Sequence, residues 1–142
     1  MKDCVYCSKI PNLLKDKSPF VVHEFKNSVL IVGDHQTFPG YCVLVLKDHV
    51  KEFFDLKEST QIEVYKELNA ATQKINTAFS ADKMNISNYG NMTPHQHWHI
   101  FPRKKSDSNW PQPPWTLMES FEKNKTTQDQ AQNVTTTLKK LF

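Results

Sequence analysis

The sequence predicts an α+β fold in which an antiparallel sheet of about five strands carries one long helix, with a second helix near the C-terminus. Five short segments are rich in β-branched and aromatic residues or alternate between apolar and polar residues, as strands do. One long stretch, from about residue 52 to residue 81, instead repeats its apolar residues at the three- and four-residue spacing of a helix. The end of the chain repeats that helical spacing over a shorter length.

Length and composition favour one globular domain over residues 1–142, with a single core. The formal net charge is only +3, and Lys and Arg are scattered among Asp and Glu, which argues against nucleic-acid and membrane partners. No apolar run approaches the ~20 residues of a membrane span, and the polar residues 1–3 lack the apolar core of a signal peptide. An odd number of cysteines, three, fits a reducing compartment. We therefore expect a cytoplasmic protein.

Two residues separate Cys4 from Cys7 in the N-terminal segment, residues 1–19. This spacing lets two thiolates reach one metal ion, whereas redox pairs of the same spacing usually follow a strand and open a helix inside the fold. A zinc site with two further ligands and an unmetallated pair both remain open. Pro11 and Pro19 predict that residues 8–19 are an irregular connection with at most one helical turn.

The first three strands follow. Residues 20–25 and 28–32 are rich in β-branched and aromatic residues and should form a hairpin. A loop leads to a third strand at residues 41–46, in which Cys42 should be a small core residue. Asp34 follows the second strand, where ordinary turn chemistry would explain it, because Asp commonly bonds nearby backbone amides.

The long helix should have Ser59 or Thr60 as its N-cap. Its apolar stripe should pack on one face of the sheet and leave the charged and amide residues to solvent. The stripe comprises Ile62, Tyr65, Leu68, Ala71 or Thr72, Ile75 and Phe79, and the solvent set comprises Gln61, Glu63, Lys66, Glu67, Gln73 and Lys74.

Three alternating histidines mark the last strand. Residues 84–89 alternate as the strand before it, and Gly90-Asn91 turns the chain, because both residue types can take a positive φ. His95, His97 and His99 should then share one face at a spacing of about 6 to 7 Å. At this spacing the three side chains cannot all bind one atom, but they can line one elongated cleft. The other face should be core. Two alternatives to a functional cleft are that the histidines form an accidental polar face of an edge strand, or that they form a metal-binding tract.

Residues 104–125 contain three prolines and two tryptophans, and we expect a loop. Trp110 and Trp115 would cover the cleft, or pack on the body of the protein or on a second subunit. Arg103 would steer a phosphate or be an exposed end of the strand. Residues 126–142 predict the C-terminal helix, with Thr126 or Thr127 as its cap.

The run His-x-His-x-His followed by two apolar residues is similar to the motif of the histidine-triad (HIT) nucleotide hydrolases and transferases. Asp34, Pro39-Gly40 and Lys47-Asp48-His49 extend the resemblance. The tail with Asn109-Trp110-Pro111 and a closing Trp115 resembles a bacterial branch of the family that is similar to diadenosine tetraphosphate hydrolases. Where many relatives have His after the Gly, this chain has a tyrosine.

The resemblance implies a HIT-like fold and an enzyme that cleaves a phosphoanhydride or phosphoramidate bond at the α-phosphate of a nucleotide. His97 would be the nucleophile of a nucleotidyl-histidine intermediate, with hydrogen bonds from His99 and His95 to the phosphate oxygens. Asp34 would bind the ribose hydroxyls, and Asn91 would lie close to the transferred phosphate. The substrate would be a dinucleoside polyphosphate or an adenosine 5'-phosphoramidate, with a purine mononucleotide moiety.

The resemblance also implies a structural zinc ion, no organic cofactor and a homodimer. The zinc ligands would be Cys4, Cys7, His49 and His95. If His95 binds zinc, its role becomes that of an anchor for the strand. Two rival functions stay open, namely a nucleotide-binding or scaffold protein with little catalytic activity and a zinc-binding interaction module.

Overall fold

Five antiparallel strands form one sheet, in the order β1-β2-β3-β5-β4, in the computed structural model of the chain. The structure describes residues 4–142, so residues 1–3, on which the prediction of no signal peptide rests, lie outside it. The strands are β1 (Val21–Glu24), β2 (Ser28–Val32), β3 (Cys42–Leu46), β4 (Lys83–Ser87) and β5 (His97–Arg103). The predicted α+β fold is confirmed.

The described part of the chain has four α-helices. They are α1 (Val5–Lys15), α2 (Glu58–Phe79), α3 (Met118–Phe121) and α4 (Gln128–Lys139). The predicted C-terminal helix is α4, which begins with a capping box: Thr127 Oγ1 accepts from the Gln130 amide, and Gln130 Oε1 accepts from the Thr127 amide. Within residues 4–142, no helix is long and apolar enough to cross a membrane.

Each face of the sheet has its own core. Helices α2 and α4 cover one face, where Trp98 and Ile100 of β5 are buried with the fully buried Cys42. Helix α1 and the chain that follows β5 cover the other face, where Phe101 is buried. Because side chains alternate along β5, the histidines of this strand share the second face with Phe101.

Helix α1 differs from the prediction of an irregular connection over residues 8–19. It continues through Pro11 for 11 residues, although a proline there removes one backbone hydrogen bond. Ile10 is buried in the second core, and Tyr6, Leu13 and Leu14 pack against it. This prediction was wrong because burial of an apolar face, rather than local propensity, supplies most of the stability of a short helix.

Helix α2 lies within the predicted stretch, residues 52–81, but begins before the predicted caps and turns a different stripe to the sheet. Its N-cap position is Lys57, so neither Ser59 nor Thr60 caps it. Ile62 and Tyr65 of the predicted stripe are 50% and 57% exposed. Leu68, Ala71 and Ile75 are buried as predicted, together with Val64 and Glu67, which were not expected in the core.

The burial of Glu67 has a local cause in the β1–β2 turn. Its carboxylate accepts hydrogen bonds from the backbone and side-chain amides of Asn27, both at 2.9 Å, and from Ser28 Oγ at 2.5 Å. Three donors satisfy a carboxylate that would otherwise be costly to bury. These donors lie about 40 positions away in the chain, so the helical pattern alone could not reveal them.

The segment after β5 is more ordered than the predicted loop over residues 104–125. It contains a 3-10 turn at Pro114–Leu117, then α3, then a second 3-10 turn at Glu122–Asn124. Asn109 Nδ2 donates to the carbonyl of Pro113 at 3.0 Å and to Thr116 Oγ1 at 2.9 Å, which ties the irregular part to the first turn.

Arg103 lies at the base of this segment and is 1% exposed, so the expectation of an exposed strand end or a phosphate-steering residue was wrong. Its guanidinium donates to Asp107 at 2.7 Å, Asn109 at 2.8 Å, and Asn85 and the Gln112 carbonyl at 3.0 Å. It therefore holds residues 107–112 against the sheet and positions the chain that follows.

Candidate active site

A cavity of about 480 Å³ lies beside the first residues of β5. Of the residues predicted to bind or transform a nucleotide, His97, His99, Asp34 and Asn91 line it, and His95 does not. The wall is completed by residues that include Tyr6 of α1, the turn at 89–93, and Trp115 and Met118 from the segment after β5. We call this space the histidine cavity. It brings together positions that are far apart in the sequence.

His97 presents one ring nitrogen to the histidine cavity. Its Nδ1 lies 2.6 Å from the carbonyl oxygen of His95. A carbonyl can only accept, so Nδ1 carries the proton and Nε2 keeps its lone pair. Asn88 Nδ2 donates to the His97 carbonyl at 2.7 Å and holds the backbone at this point. Burial lowers the pKa of His97 below its ordinary value, which favours the neutral ring.

His99 lies next to His97, with a distance of 4.9 Å between ring centroids. Its Nδ1 is 2.6 Å from the hydroxyl of Tyr41. Burial, with smaller contributions from His97 and His35, lowers the pKa of His99 to about 3. His99 is therefore a neutral imidazole at physiological pH.

His95 turns its ring away from the histidine cavity. Its Nε2–H donates to the Leu46 carbonyl at 2.8 Å. Its Nδ1 points at the two N-terminal thiols, 3.4 Å from Cys4 Sγ and 3.7 Å from Cys7 Sγ. Both ring nitrogens are thus engaged outside the cavity. Strand β5 begins at His97, so the alternation that predicts three histidines in one cleft does not extend to His95.

Cys4, Cys7, His49 and His95 form what we call the Cys/His cluster. Their ligand atoms all lie within 4.8 Å of one another, and Cys7 Sγ is 3.3 Å from His49 Nδ1. Tetrahedral zinc with ordinary Zn–S and Zn–N bonds would set its ligand atoms about 3.3 to 3.8 Å apart. The hydrogen bond from His95 Nε2 to a carbonyl also leaves the Nδ1 lone pair free for a metal. The donor set and the three Cys–His distances of 3.3, 3.4 and 3.7 Å fit zinc.

Tyr6 connects the Cys/His cluster with the histidine cavity, although it was not predicted as a site residue. Its ring centroid is 4.8 Å from that of His97 and 5.6 Å from that of His95. The residue lies between Cys4 and Cys7, so its position follows from theirs. That location within the Cys-x-x-Cys spacing is the signal that could have identified it.

The two tryptophans have different environments. Trp115 lines the histidine cavity with its ring edge-on to His99 at 4.9 Å, and its Nε1 donates to Ser87 Oγ at 3.2 Å. Trp110 lies instead beside the Arg103 guanidinium, 5.9 Å from ring centroid to Cζ. The two predicted alternatives therefore apply to different residues: Trp115 covers the cleft, and Trp110 packs on the body of the protein.

Asp34 and Asn91 are exposed residues at the rim of the histidine cavity. The backbone carbonyl of Asp34 accepts from the Thr126 amide at 2.9 Å, which ties this position to the C-terminal segment. Asn91 follows Gly90, whose φ of +72° is the positive value expected for the turn. Both polar side chains can therefore reach a ligand in the cavity.

Comparisons with known proteins agree with this geometry. The family model described as HIT domain matches residues 15–106. An asymmetrical bis(5'-nucleosyl)-tetraphosphatase from Schizosaccharomyces pombe is 30% identical over 92 residues, which cover 61% of this chain and 50% of that protein. The chain thus spans about half the length of this curated relative.

Solved structures show the same fold. A histidine triad protein from Bradyrhizobium japonicum superimposes with a TM-score of 0.75 at 26% identity, over 89% of this chain and 92% of that one. A zinc-bound histidine triad family protein from Mycobacterium smegmatis superimposes with a TM-score of 0.67 at 18% identity, over 99% and 96% of the two chains.

Proposed function

This chain belongs to the histidine-triad (HIT) family, and on that premise we propose that it hydrolyses a nucleotide through a nucleotidyl intermediate on His97. The observation that carries the proposal is the hydrogen bond from His97 Nδ1–H to the His95 carbonyl. It leaves Nε2 as a lone-pair donor in a cavity of about 480 Å³, which is within the usual range for small-ligand sites.

The reaction would have two displacements at the α-phosphorus. In the first, His97 Nε2 forms a bond to phosphorus, and the bond to the leaving oxygen or nitrogen breaks, with its electron pair departing on the leaving group. In the second, water attacks phosphorus and gives up a proton to solvent, the P–N bond breaks with its electron pair returning to Nε2, and a nucleoside monophosphate and neutral His97 remain. A hydrogen bond from His99 to a phosphate oxygen would stabilise both transition states.

The remaining contacts fit a nucleoside monophosphate moiety. Asp34, at the cavity rim, would accept hydrogen bonds from ribose hydroxyls, and Asn91 would donate to the phosphate. The name of the S. pombe relative makes a dinucleoside polyphosphate the first substrate to test, with adenosine 5'-phosphoramidate as the second. A purine preference, a homodimer and a cytoplasmic location remain predictions.

A substrate panel tests this function. The protein should release nucleoside monophosphate from at least one dinucleoside polyphosphate or phosphoramidate, and water labelled with oxygen-18 should place its label in the monophosphate. Binding of a nucleoside monophosphate without product from any member of the panel would contradict the proposed hydrolase activity. It would support the alternative, a nucleotide-binding protein with little catalytic activity.

We propose further that the Cys/His cluster holds a structural zinc ion. The support is the set of ligand distances, the two-thiol and two-imidazole donor set, and the fold shared with the zinc-bound M. smegmatis protein. A bound metal would crosslink α1 to the chain before β5. His95 would then act through its backbone, because the same residue that holds the cluster provides the carbonyl that orients His97.

Cys7→Ser is expected to weaken zinc binding by more than about 100-fold, because even partners outside the ligand shell typically contribute 10- to 100-fold. Elemental analysis of untagged protein should find about one zinc per wild-type chain, since the cluster offers four ligands, and far less in the variant. Cys42→Ala is the matched control, because Cys42 is buried in the other core, away from the cluster. Absence of zinc from the wild type, or equal zinc in Cys7→Ser, would contradict the site.

A further inference from the structure

Tyr41 is a buried residue whose only polar side-chain atom contacts His99, a residue of the histidine cavity. The side chain is 1% exposed, and its hydroxyl lies 2.6 Å from His99 Nδ1. Tyr41 directly precedes β3, which pairs with β5 so that Val43 lies opposite His99. The tyrosine therefore approaches His99 from within the core, on the side away from the cavity space.

Packing fixes the position of this hydroxyl. The Tyr41 ring stacks on Phe101 with 4.2 Å between centroids and an interplanar angle of 7°, and on His35 at 4.6 Å and 29°. Gly33 completes the enclosure, since a Cβ at that position would lie 2.2 Å from the Tyr41 ring. With neighbours in contact on several sides, the ring has little freedom to move its hydroxyl away from His99.

The direction of the hydrogen bond follows from what each group can donate. Burial raises the pKa of Tyr41 well above its ordinary value, so the hydroxyl stays protonated. Among residues 4–142, His99 Nδ1 is the partner found for this hydroxyl. If the oxygen only accepted, its buried O–H would lack an acceptor, which costs more than an unused lone pair. The hydroxyl therefore donates to Nδ1, and the proton of the neutral imidazole is on Nε2.

We propose that Tyr41 is a positioning residue that holds His99 as its Nε2–H tautomer, so that this N–H is a hydrogen-bond donor to the substrate phosphate. The hydrogen bond from His99 to the substrate phosphate rests on the proposed function, whereas the assignment of the His99 tautomer does not. The pKa of about 3 supports a neutral ring. His99 then stabilises charge on an oxygen without transferring a proton, so a polyphosphate leaving group departs as its anion and a leaving amine takes its proton from solvent.

The tautomer can be measured directly by nitrogen-15 NMR of the protein with labelled histidines, with the His99 signals assigned by their loss in His99→Gln. In the wild type at neutral pH, His99 should be protonated at Nε2 and unprotonated at Nδ1. Protonation at Nδ1 in the wild type would overturn the proposal, and this experiment needs no Tyr41 variant to fold.

Tyr41→Phe removes the hydroxyl and keeps the ring. We expect the ratio of Nδ1–H to Nε2–H tautomers of His99 to rise about tenfold, the effect of losing one ordinary hydrogen bond. Tyr65→Phe, on the exposed surface of α2, is the matched control and should leave the ratio unchanged. An unchanged ratio in Tyr41→Phe would also overturn the proposal.

The contribution to catalysis has a separate readout. Tyr41→Phe should lower kcat about tenfold and change KM little, because a hydrogen bond that strengthens in the transition state acts on kcat. A changed tautomer ratio with unchanged kcat would overturn the role of His99 as phosphate donor. If no substrate is turned over, the proposed function fails while the NMR measurement still decides the role of Tyr41.

Discussion

His97→Ala is expected to lower kcat by about 10⁴-fold or more, as loss of a nucleophile does in other two-step enzymes. Within the described residues 4–142, neither His95 nor His99, the other two histidines of the motif, is free to replace it. Both ring nitrogens of His95 are engaged outside the cavity, and Nδ1 of His99 is hydrogen-bonded to the Tyr41 hydroxyl. Steady-state kinetics would measure the loss. Titration calorimetry should find nucleoside monophosphate affinity within a few-fold of wild type, because Asp34 and Asn91 remain.

His23→Gln is the matched control for this substitution. His23 is a half-buried histidine on β1 that stacks on Phe142 at 4.2 Å, away from the histidine cavity. Its variant should keep wild-type kcat. Turnover by His97→Ala at a rate similar to that of His23→Gln would remove His97 from the mechanism.

Arg103→Met is expected to lower the free energy of unfolding by about 3 to 5 kcal/mol, the usual cost of removing one partner from a buried ion pair. The Asp107 carboxylate would lose its charged partner, and three further acceptors would lose a donor. Urea denaturation followed by circular dichroism would measure the change. Arg103 holds the segment that leads to Trp115. We therefore also expect Trp115 to be held less firmly in the wall of the histidine cavity.

A second ion pair provides the comparison. Lys125 contacts Glu122 at 2.8 Å, but both side chains are largely exposed, at 69% and 80%. Lys125→Met should therefore change stability little, because solvent screens exposed pairs. If Arg103→Met were no more destabilising than Lys125→Met, the structural role assigned to the buried guanidinium would be wrong.

The strands could be predicted because they depend on the local composition or alternation of a short run of residues. Ser28–Val32 matches the predicted strand at both ends, and β3 begins one residue after its predicted start. Cys42 is in the core, as its position within an apolar strand suggested. In each of these cases, a short run of neighbouring residues carries the information, and no distant partner is needed.

The rest depends on contacts between distant positions. Glu67 and Arg103 are charged residue types that usually face solvent, and both are buried because donors or acceptors from other elements satisfy them. Helix α1 forms across Pro11 because it packs against the sheet. Tyr41 and His99 are 58 positions apart, and nothing near either residue indicates that they meet.

His95 shows the limit of extrapolating a period. Alternation from His97 backwards places three imidazoles on one face, but the backbone before β5 is not a strand. The His95 ring turns toward the thiols of Cys4 and Cys7, while the His95 carbonyl remains beside His97. The residue that resembles a third catalytic histidine in the sequence therefore links the Cys/His cluster to the proposed nucleophile.

During turnover, His97 should form a covalent bond to the α-phosphorus. Rapid mixing of the wild-type protein with a substrate identified in the panel, a quench under conditions that preserve P–N bonds, and peptide mass spectrometry would test it most directly. We predict one nucleotidyl group on the peptide that contains residues 95–99, with fragmentation that assigns it to His97. Turnover with no adduct at any mixing time, or an adduct on a different residue, would contradict a nucleotidyl intermediate on His97.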